Sequence, residues 1–520
     1  MESVNTELND IAVRMVDISK SFGTTAANKN VSLDIYKGEI LSLLGENGSG
    51  KTTLMNMLSG IYYPDSGSIY VGGKSVRIRS PKDAHDLRIG MIHQHFKLVD
   101  VFTAAENVKL GIRSSLKATK KAIAEICDKY KFSVDPDKKV YEMSVSEKQT
   151  LEIVKALYRG ADILILDKPT AVLTPQETDA LFDVMRAMKA DGKSIVIITH
   201  KLNEVLAISD RVAILRKGEY VGDIKTSEAD VQTLSDLMVG HAVSLNIDRP
   251  FVEEKAERLI VENLSVKDNM GVLRLNNVAF KAYSGEILGI AGVSGSGQKE
   301  LLEAIAGLIP TMSGSSMIYI DPKTGKEEDL KKYDAEQIRA LGIRLAFVPE
   351  DRLGMGLVGS MNIPDNMMLR SYKEGKLGLT DRRKPLDLAK KVVEELEVVA
   401  PDLNTPVRKL SGGNVQKVLV GRELASEPSL MMAAYAVRGL DINTSYAIYR
   451  LLNDQKLRGA AVIYVGEDLD VLLELCDRIM VLCGGRISGI VDGRTATKKQ
   501  VGLLMTSVPE AAPAENATAN

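Results

Sequence analysis

The sequence predicts two tandem α/β domains, each with a mostly parallel sheet and an antiparallel portion near its start. Three observations carry this. First, the chain contains itself twice: "KGEILSLLGENGSG" (37–50) returns as "SGEILGIAGVSGSG" (284–297), and "SDRVAILRKG" (209–218) as "CDRIMVLCGG" (476–485). The repeated unit is the size of a domain, so this is domain duplication and not a solenoid. Second, in each half short alternating runs give way to amphipathic helical stretches and then to buried apolar runs, the pattern of strands interleaved with helices. Third, 520 residues exceed what one ordinary core holds.

The elements of the first half follow in order. "VSLDIYKGEILSLLG" reads as short strands, and its end leads into "GENGSGKT" (45–52) and then the helical "TLMNMLSGI". A strand, Gly-x4-Gly-Lys-Thr and a helix form the context a phosphate-binding loop requires. Gly45, Gly48 and Gly50 let the backbone curl so that successive N–H groups face the phosphates, and Glu46, Asn47, Ser49 and Thr53 are expected ATP-binding residues of the same stretch. Lys51 is expected to reach the β- and γ-phosphates of ATP, and Thr52 to offer its hydroxyl to Mg²⁺. Further on, "ILILDKPTA" (163–171) is an apolar strand ending in Asp167, the usual way of presenting a magnesium ligand. The helix "PQETDALFDVMRAMKA" and the buried runs "SIVIITH" and "RVAILRKG" complete the half. The join lies near 241–259, where charge replaces the periodic apolar pattern. The expected domains are therefore 1–245 and 258–506, with a linker over 246–257 and a small, polar, Ala/Pro-rich tail over 507–520 that reads as disordered.

Composition narrows the partners. Charged residues make up 26% and hydrophobic ones 45%, a globular balance. A net charge of −2 gives no general pull toward nucleic acid or anionic lipid. Cys127, Cys476 and Cys483 fit no zinc spacing and read as buried, reduced thiols. No segment approaches the length of a membrane span, and the N-terminus is too polar for a signal peptide. Any membrane role must go through a partner. His93 and His95 have metal-like spacing with nothing clustered around them, and read as non-ligands.

On these motifs the chain resembles the ATP-binding-cassette family over about residues 10 to 505. It is most similar to the fused double-cassette ATPases of bacterial nucleoside and monosaccharide importers. "HQHFKLV", "TAVLTPQE", "VPEDR" (348–352) and "RGLD" (438–441) look like the nucleoside branch, as does the apolar Ala433-Ala434. The resemblance implies a phosphate-loop α/β core with an antiparallel β portion and a helical subdomain in each half. It implies that Phe22 stacks on adenine, that Gln94 senses the γ-phosphate, helps hold Mg²⁺ and couples to a membrane subunit, and that His200 is the switch histidine. The second half departs from the pattern. Gly292, Gly295 and Gly297 keep the glycine scaffold, but Gln298 stands for the phosphate lysine, and Ala434 and Tyr435 for the two carboxylates. The signature "LSGGN" (410–414) is intact there, whereas "MSVSE" (143–147) in the first half has lost both glycines. In the family, two cassettes pair head to tail, each ATP lying between one loop and the opposite signature. Lys51 and Thr52 would then share a sound site with Ser411, Gly412 and Gly413, and the two degraded segments would share the other. Integral-membrane permease subunits and, indirectly, an extracytoplasmic solute-binding protein are the implied partners, with a second copy of the chain a further one. The implied location is the cytoplasmic face of the membrane.

Position 168 is where the family places the glutamate that orients or deprotonates the attacking water. A lysine, charged at neutral pH, cannot accept that proton. A positioned base is worth roughly 10²- to 10⁴-fold, so hydrolysis is expected to be slow rather than nil. Two other classes compete. Soluble double-cassette proteins of ribosomes carry a long basic linker and two sound sites, neither of which this sequence has. A non-hydrolysing ATP-binding paralogue is kept open by Lys168 itself.

Overall fold

The computed structural model describes every residue except 1–9, 24, 95, 172, 200, 241–245, 269, 294, 348–355, 370, 373–379, 425–427, 439, 441, 467 and 508–520. The chain divides into two compact units, Met1–Leu245 and Asn246–Asn520.

In the first unit, β1 (Ile11–Phe22), β2 (Thr25–Tyr36), β4 (Ser66–Val71) and β5 (Lys74–Val76) form an antiparallel sheet in the order β2-β1-β4-β5. A second sheet is made of β3 (Ile40–Leu44), β6 (Ile89–Ile92), β7 (Ile163–Asp167), β8 (Ser194–Ile198), β9 (Arg211–Arg216) and β10 (Glu219–Lys225), in the order β10-β9-β3-β8-β7-β6. Its strands run parallel except β10. Every residue of β3, β7 and β8 is buried, as expected of parallel strands covered on both faces. Period-2 alternation sorts their side chains. Leu41, Leu43, Ile165 and Val196 pack with Val13, Met15 and Leu33 of the antiparallel sheet around the helix Lys51–Leu58. Ile40, Leu164, Leu166 and Ile195 face the helix Pro175–Ala190 through Phe182, Met185 and Met188. A third cluster joins the helices Ala104–Lys109, Leu116–Tyr130 and Val145–Tyr158 into a helical subdomain.

The second unit repeats this order. β11 (Glu257–Lys267), β12 (Leu273–Tyr283), β14 (Ser316–Ile320) and β15 (Glu327–Asp329) form the antiparallel sheet β12-β11-β14-β15. β13 (Glu286–Ala291), β16 (Ile343–Phe347), β17 (Leu430–Ala434), β18 (Ala461–Val465), β19 (Arg478–Cys483) and β20 (Arg486–Asp492) form the sheet β16-β17-β18-β13-β19-β20. The register agrees too: Asp167 pairs with Ile198, and Ala434 with Val465. All three cysteines are buried and free. Among the described residues no helix is long and apolar enough to cross a membrane.

Within the span expected to link the halves, residues 247–250 are strapped onto the second unit. Ile247 is buried, and Arg249 donates to the Leu473 and Cys476 carbonyls at 3.0 and 2.7 Å. Asn453 and Lys456 donate to the carbonyls of Asp248 and Pro250, both at 2.6 Å. The charged composition there reflects this anchoring as well as exposure. "VPEDR" and two residues of "RGLD" (Gly439 and Asp441) lie outside the described residues.

Candidate active site

The loop 45–50 runs from β3 to the helix Lys51–Leu58, and two glycines in it are sterically obligatory. Gly45 (φ 152°) would place a Cβ 2.1 Å from the Leu215 carbonyl oxygen, and Gly50 (φ 95°) one 2.3 Å from that of Ala27. Their conformations turn the chain tightly enough for Lys51 to curl back over the loop. The Lys51 Nζ donates to the carbonyls of Gly45 and Glu46 at 2.7 and 2.8 Å and to Ser49 Oγ at 3.3 Å. Burial, and after it the Lys168 charge, brings the Lys51 amine down to about 8 against the pull of Asp167 and Glu46. An anion bound beside it would favour the ammonium. Ser49 is buried, Asn47 and Gly48 are exposed, and Thr53 is half-buried on the first helical turn.

Asp167 ends β7 and is 6% exposed. Its Oδ2 accepts from Thr52 Oγ1 at 3.1 Å, while Oδ1 is buried with no hydrogen-bond partner among the described residues. Burial raises its pKa in spite of Thr52, Lys168, Lys51 and His93, all of which favour the ionised form. A buried, half-satisfied carboxylate is costly unless a further cation or donor completes it. A hard divalent ion bound by oxygen ligands fits that requirement, with Thr52 and Asp167 as the residues that would hold it. Among the described residues no cluster of three His, Cys, Asp or Glu side chains exists, so such an ion would need ligands beyond the protein's carboxylates, as phosphate oxygens provide.

Lys168 follows on a left-handed turn (φ 50°), its N–H bonded to the Ile198 carbonyl at 2.8 Å. For a residue with a Cβ this conformation costs about 1–2 kcal/mol, and strain of this kind clusters at working sites. The same turn carries a network that sequence reasoning missed. Thr170 Oγ1 donates to Glu204 Oε2 at 2.5 Å, and Lys201 Nζ bonds the Thr170 carbonyl at 3.1 Å and Glu204 Oε1 at 3.0 Å. It ties the Lys168 turn to Lys201 and to the helix Leu202–Ile208. Its only sequence signal was the i, i+3 spacing of Lys201 and Glu204.

The remaining expected residues are placed as follows. Phe22 ends β1 and is 45% exposed, so it is not a core residue, and the Tyr62 ring meets it edge-on. Gln94 is exposed just beyond β6, and no hydrogen bond among the described residues joins it to Thr52 or Asp167. His93 beside it is half-buried, which lowers its pKa, and is close enough for Asp167 to feel its charge. His200 and His95 lie outside the described residues.

In the second unit, Gly295 and Gly297 keep positive φ (85° and 101°), but Gln298 donates its amide to the Val293 carbonyl at 3.2 Å. A Cβ on Gly292 would meet that amide at 2.5 Å. Ala434 is 1% exposed, and Tyr435 (φ 54°) packs on the surrounding apolar cluster. Ser411 and Gly412 are exposed at the start of the helix Gly412–Leu424, followed by Gly413. Ser411 Oγ accepts from the Asn414 side chain at 2.9 Å, and a Cβ on Gly413 would meet nothing within 4 Å.

Known proteins agree with this architecture. The sequence profile of the ABC transporter family matches residues 28–171 and again 275–433. The chain is 40% identical to the nucleoside import ATP-binding protein NupA of Lactococcus lactis subsp. cremoris, over 96% of this chain and 98% of that protein. It is 40% identical to the guanosine import ATP-binding protein NupO of Bacillus subtilis, over 95% and 97%. With the ribose import ATP-binding protein RbsA 1 of Streptomyces avermitilis it shares 36% identity, over 97% and 95%. The ADP form of MJ1267, an ATP-binding cassette of an ABC transporter, aligns with 44% of this chain and 95% of that one at 25% identity and a TM-score of 0.40. With two profile matches and full-length relatives of this identity, the chain belongs to the ABC transporter family, as a double-cassette ATP-binding member.

Proposed function

We propose that the chain is the ATP-binding subunit of an importer for nucleosides, working from the cytoplasmic face of the membrane beneath permease subunits that span it. One observation carries this reading. A single phosphate loop with its lysine, hydroxyl and strand-end aspartate stands in a chain that matches nucleoside import ATP-binding proteins along its whole length. The ribose importers, at lower identity, make a monosaccharide the second reading. Thr52 and Asp167, with Gln94 as the proposed third contributor, are the residues for Mg²⁺, which when bound neutralises charge on transferring phosphates. Lys51 binds the β- and γ-phosphates, Phe22 takes the base, and Ser411 to Gly413 provide the signature. The expected domain limits, 1–245 and 258–506, go with this assignment.

Lys168 makes the subunit a slow ATPase. The strained turn that presents residue 168 persists, but an ammonium on it cannot accept a proton from water. Affinity purification of the chain from its native host tests the proposal. Integral-membrane subunits and nucleoside-dependent ATP turnover are the expected result, and recovery of ribosomes in their place would overturn it.

A further inference from the structure

The loop after the helix Lys51–Leu58 carries "IYYPDSG" (61–67), and Asp65 within it clamps the last residues of β1. Its Oδ1 accepts from Lys20 Nζ at 2.6 Å, its Oδ2 from the Ser21 N–H at 2.7 Å, and its own N–H donates to the Ser19 carbonyl at 2.8 Å. This clamp brings the Tyr62 ring to 5.1 Å from Phe22 at 69°, an edge-to-face pair, with the Lys20 ammonium 5.8 Å from the Phe22 centroid. Both rings remain partly exposed. A lone aromatic at a strand end can swing about χ1, and a base stacking on it must first immobilise it. A fixed edge-to-face neighbour removes that freedom beforehand.

The second unit serves as an internal control. Five residues beyond the left-handed Asp17 stands Phe22; five beyond the left-handed Asn263 stands Asp268. The backbone bond survives, since the Met312 N–H donates to the Ser265 carbonyl at 2.9 Å as Asp65 does to Ser19. The side chains do not: Ile309 and Met312 replace Tyr62 and Asp65. Asp268 turns its carboxylate onto the N–H groups of Met270 and Val272 and the Arg274 guanidinium. The half without the phosphate lysine thus also lacks the aromatic, its ring neighbour and the carboxylate of the clamp.

We infer that Tyr62, anchored by Asp65, is a positioning residue for the base platform. It holds the Phe22 ring in the orientation on which the nucleotide's base stacks. This rests on the reading of the Lys51 loop as the ATP site.

Calorimetric titration of the full chain with MgATP, and displacement by inorganic tripolyphosphate, separates the base from the phosphates. Tyr62→Ala is expected to weaken ATP about three- to tenfold, the range of one aromatic pair, and to leave tripolyphosphate unchanged. Tyr62→Phe keeps the ring and should restore ATP affinity. Asp65→Ala, a second route to the same loss, should reproduce the split. An unchanged ATP affinity in Tyr62→Ala overturns the inference alone, as does an equal loss for both ligands, which would mean a role in the loop or fold. Failure of the unaltered chain to bind ATP at all would overturn the reading of the site itself.

Discussion

At the ends of β3 and β13 two pairs of corresponding glycines turn the backbone alike, with different chemistry beside them. Gly48 and Gly295 have φ of 84° and 85°, Gly50 and Gly297 of 95° and 101°. The residues after the strand ends of β7 and β17, Lys168 and Tyr435, sit at 50° and 54° with equivalent N–H bonds to β8 and β18. Yet the Lys51 ammonium lies on three loop acceptors where, among the described residues, the Gln298 amide has one, Val293. A buried aspartate in one half is a buried alanine in the other. A duplicated frame can therefore carry different side chains at corresponding places, because core packing maintains the backbone while nothing in packing requires the charged groups.

The sharpest way to break the comparison is to count nucleotides. MgATP should bind with a stoichiometry near one per chain. Lys51→Ala should weaken it by on the order of a hundredfold, the worth of a charge-assisted contact, and Gln298→Ala should leave it unchanged. Two equivalent sites by calorimetry would end the distinction between the halves. The next largest effect comes from exchanging strand-end residues. Ala434→Asp buries a carboxylate among apolar neighbours such as Ile290 and Val465, where Lys299, in the place of Thr52, is already paired with Glu303 at 3.7 Å. It should destabilise the second unit by about 2–4 kcal/mol in denaturant unfolding. A neutral outcome would mean that the second site can still accommodate the charge of an active one.

Turnover comes third. Lys168→Glu puts on this left-handed turn the residue that the resemblance implies there, and should raise the ATPase rate at least about tenfold with little change in ATP affinity. In a double change with Ser411→Arg the gain should vanish, since the resemblance makes Ser411 part of the signature. A rate left where it was by Lys168→Glu would shift the limitation to the altered segment 143–147, or to the paralogue reading.

What the sequence disclosed and what it hid follow a physical line. The loop, Asp167 and the missing lysine of the second half were legible because each sits in a short local motif that the sequence shows whole, even where, as for Asp167 and Thr52, its partner in space is far along the chain. The clamp of Asp65 on β1, the bond between Thr170 and Glu204, and the strap of residues 247–250 join segments tens to hundreds of residues apart and leave no periodic trace. Phe22 could be named by its place in the motif order, whereas the exposure that makes it usable came from the fold. That Gln298 would turn onto Val293 was invisible too, because an amide's partner depends on the backbone around it.

The smallest expected effect compares the two helices that begin at the signature positions. In the first unit Ser144 Oγ accepts from the Glu147 N–H while the Glu147 carboxylate accepts from the Ser144 N–H, a reciprocal cap. Lys138, at 2.7 Å, holds Glu147 below the usual carboxylate range, with Ser144 adding to it. A depressed carboxylate contributes stability above its unfolded value of about 4.3 and loses it as pH falls through the folded value. In the second unit Asn414 closes on Ser411 with an amide that does not titrate. Glu147→Ala should therefore speed amide exchange in the helix Val145–Tyr158 by about twofold at pH 7, the effect of roughly 0.5 kcal/mol at a solvent-screened cap. After correction for intrinsic rates, the difference should shrink below about pH 4 as the carboxylate protonates. Asn414→Ala should loosen the helix Gly412–Leu424 to a similar degree at both pH values. A pH-independent difference for Glu147→Ala would mean that Glu147 supports the helix through its packing and not through its charge, and no difference at either pH that this cap contributes nothing.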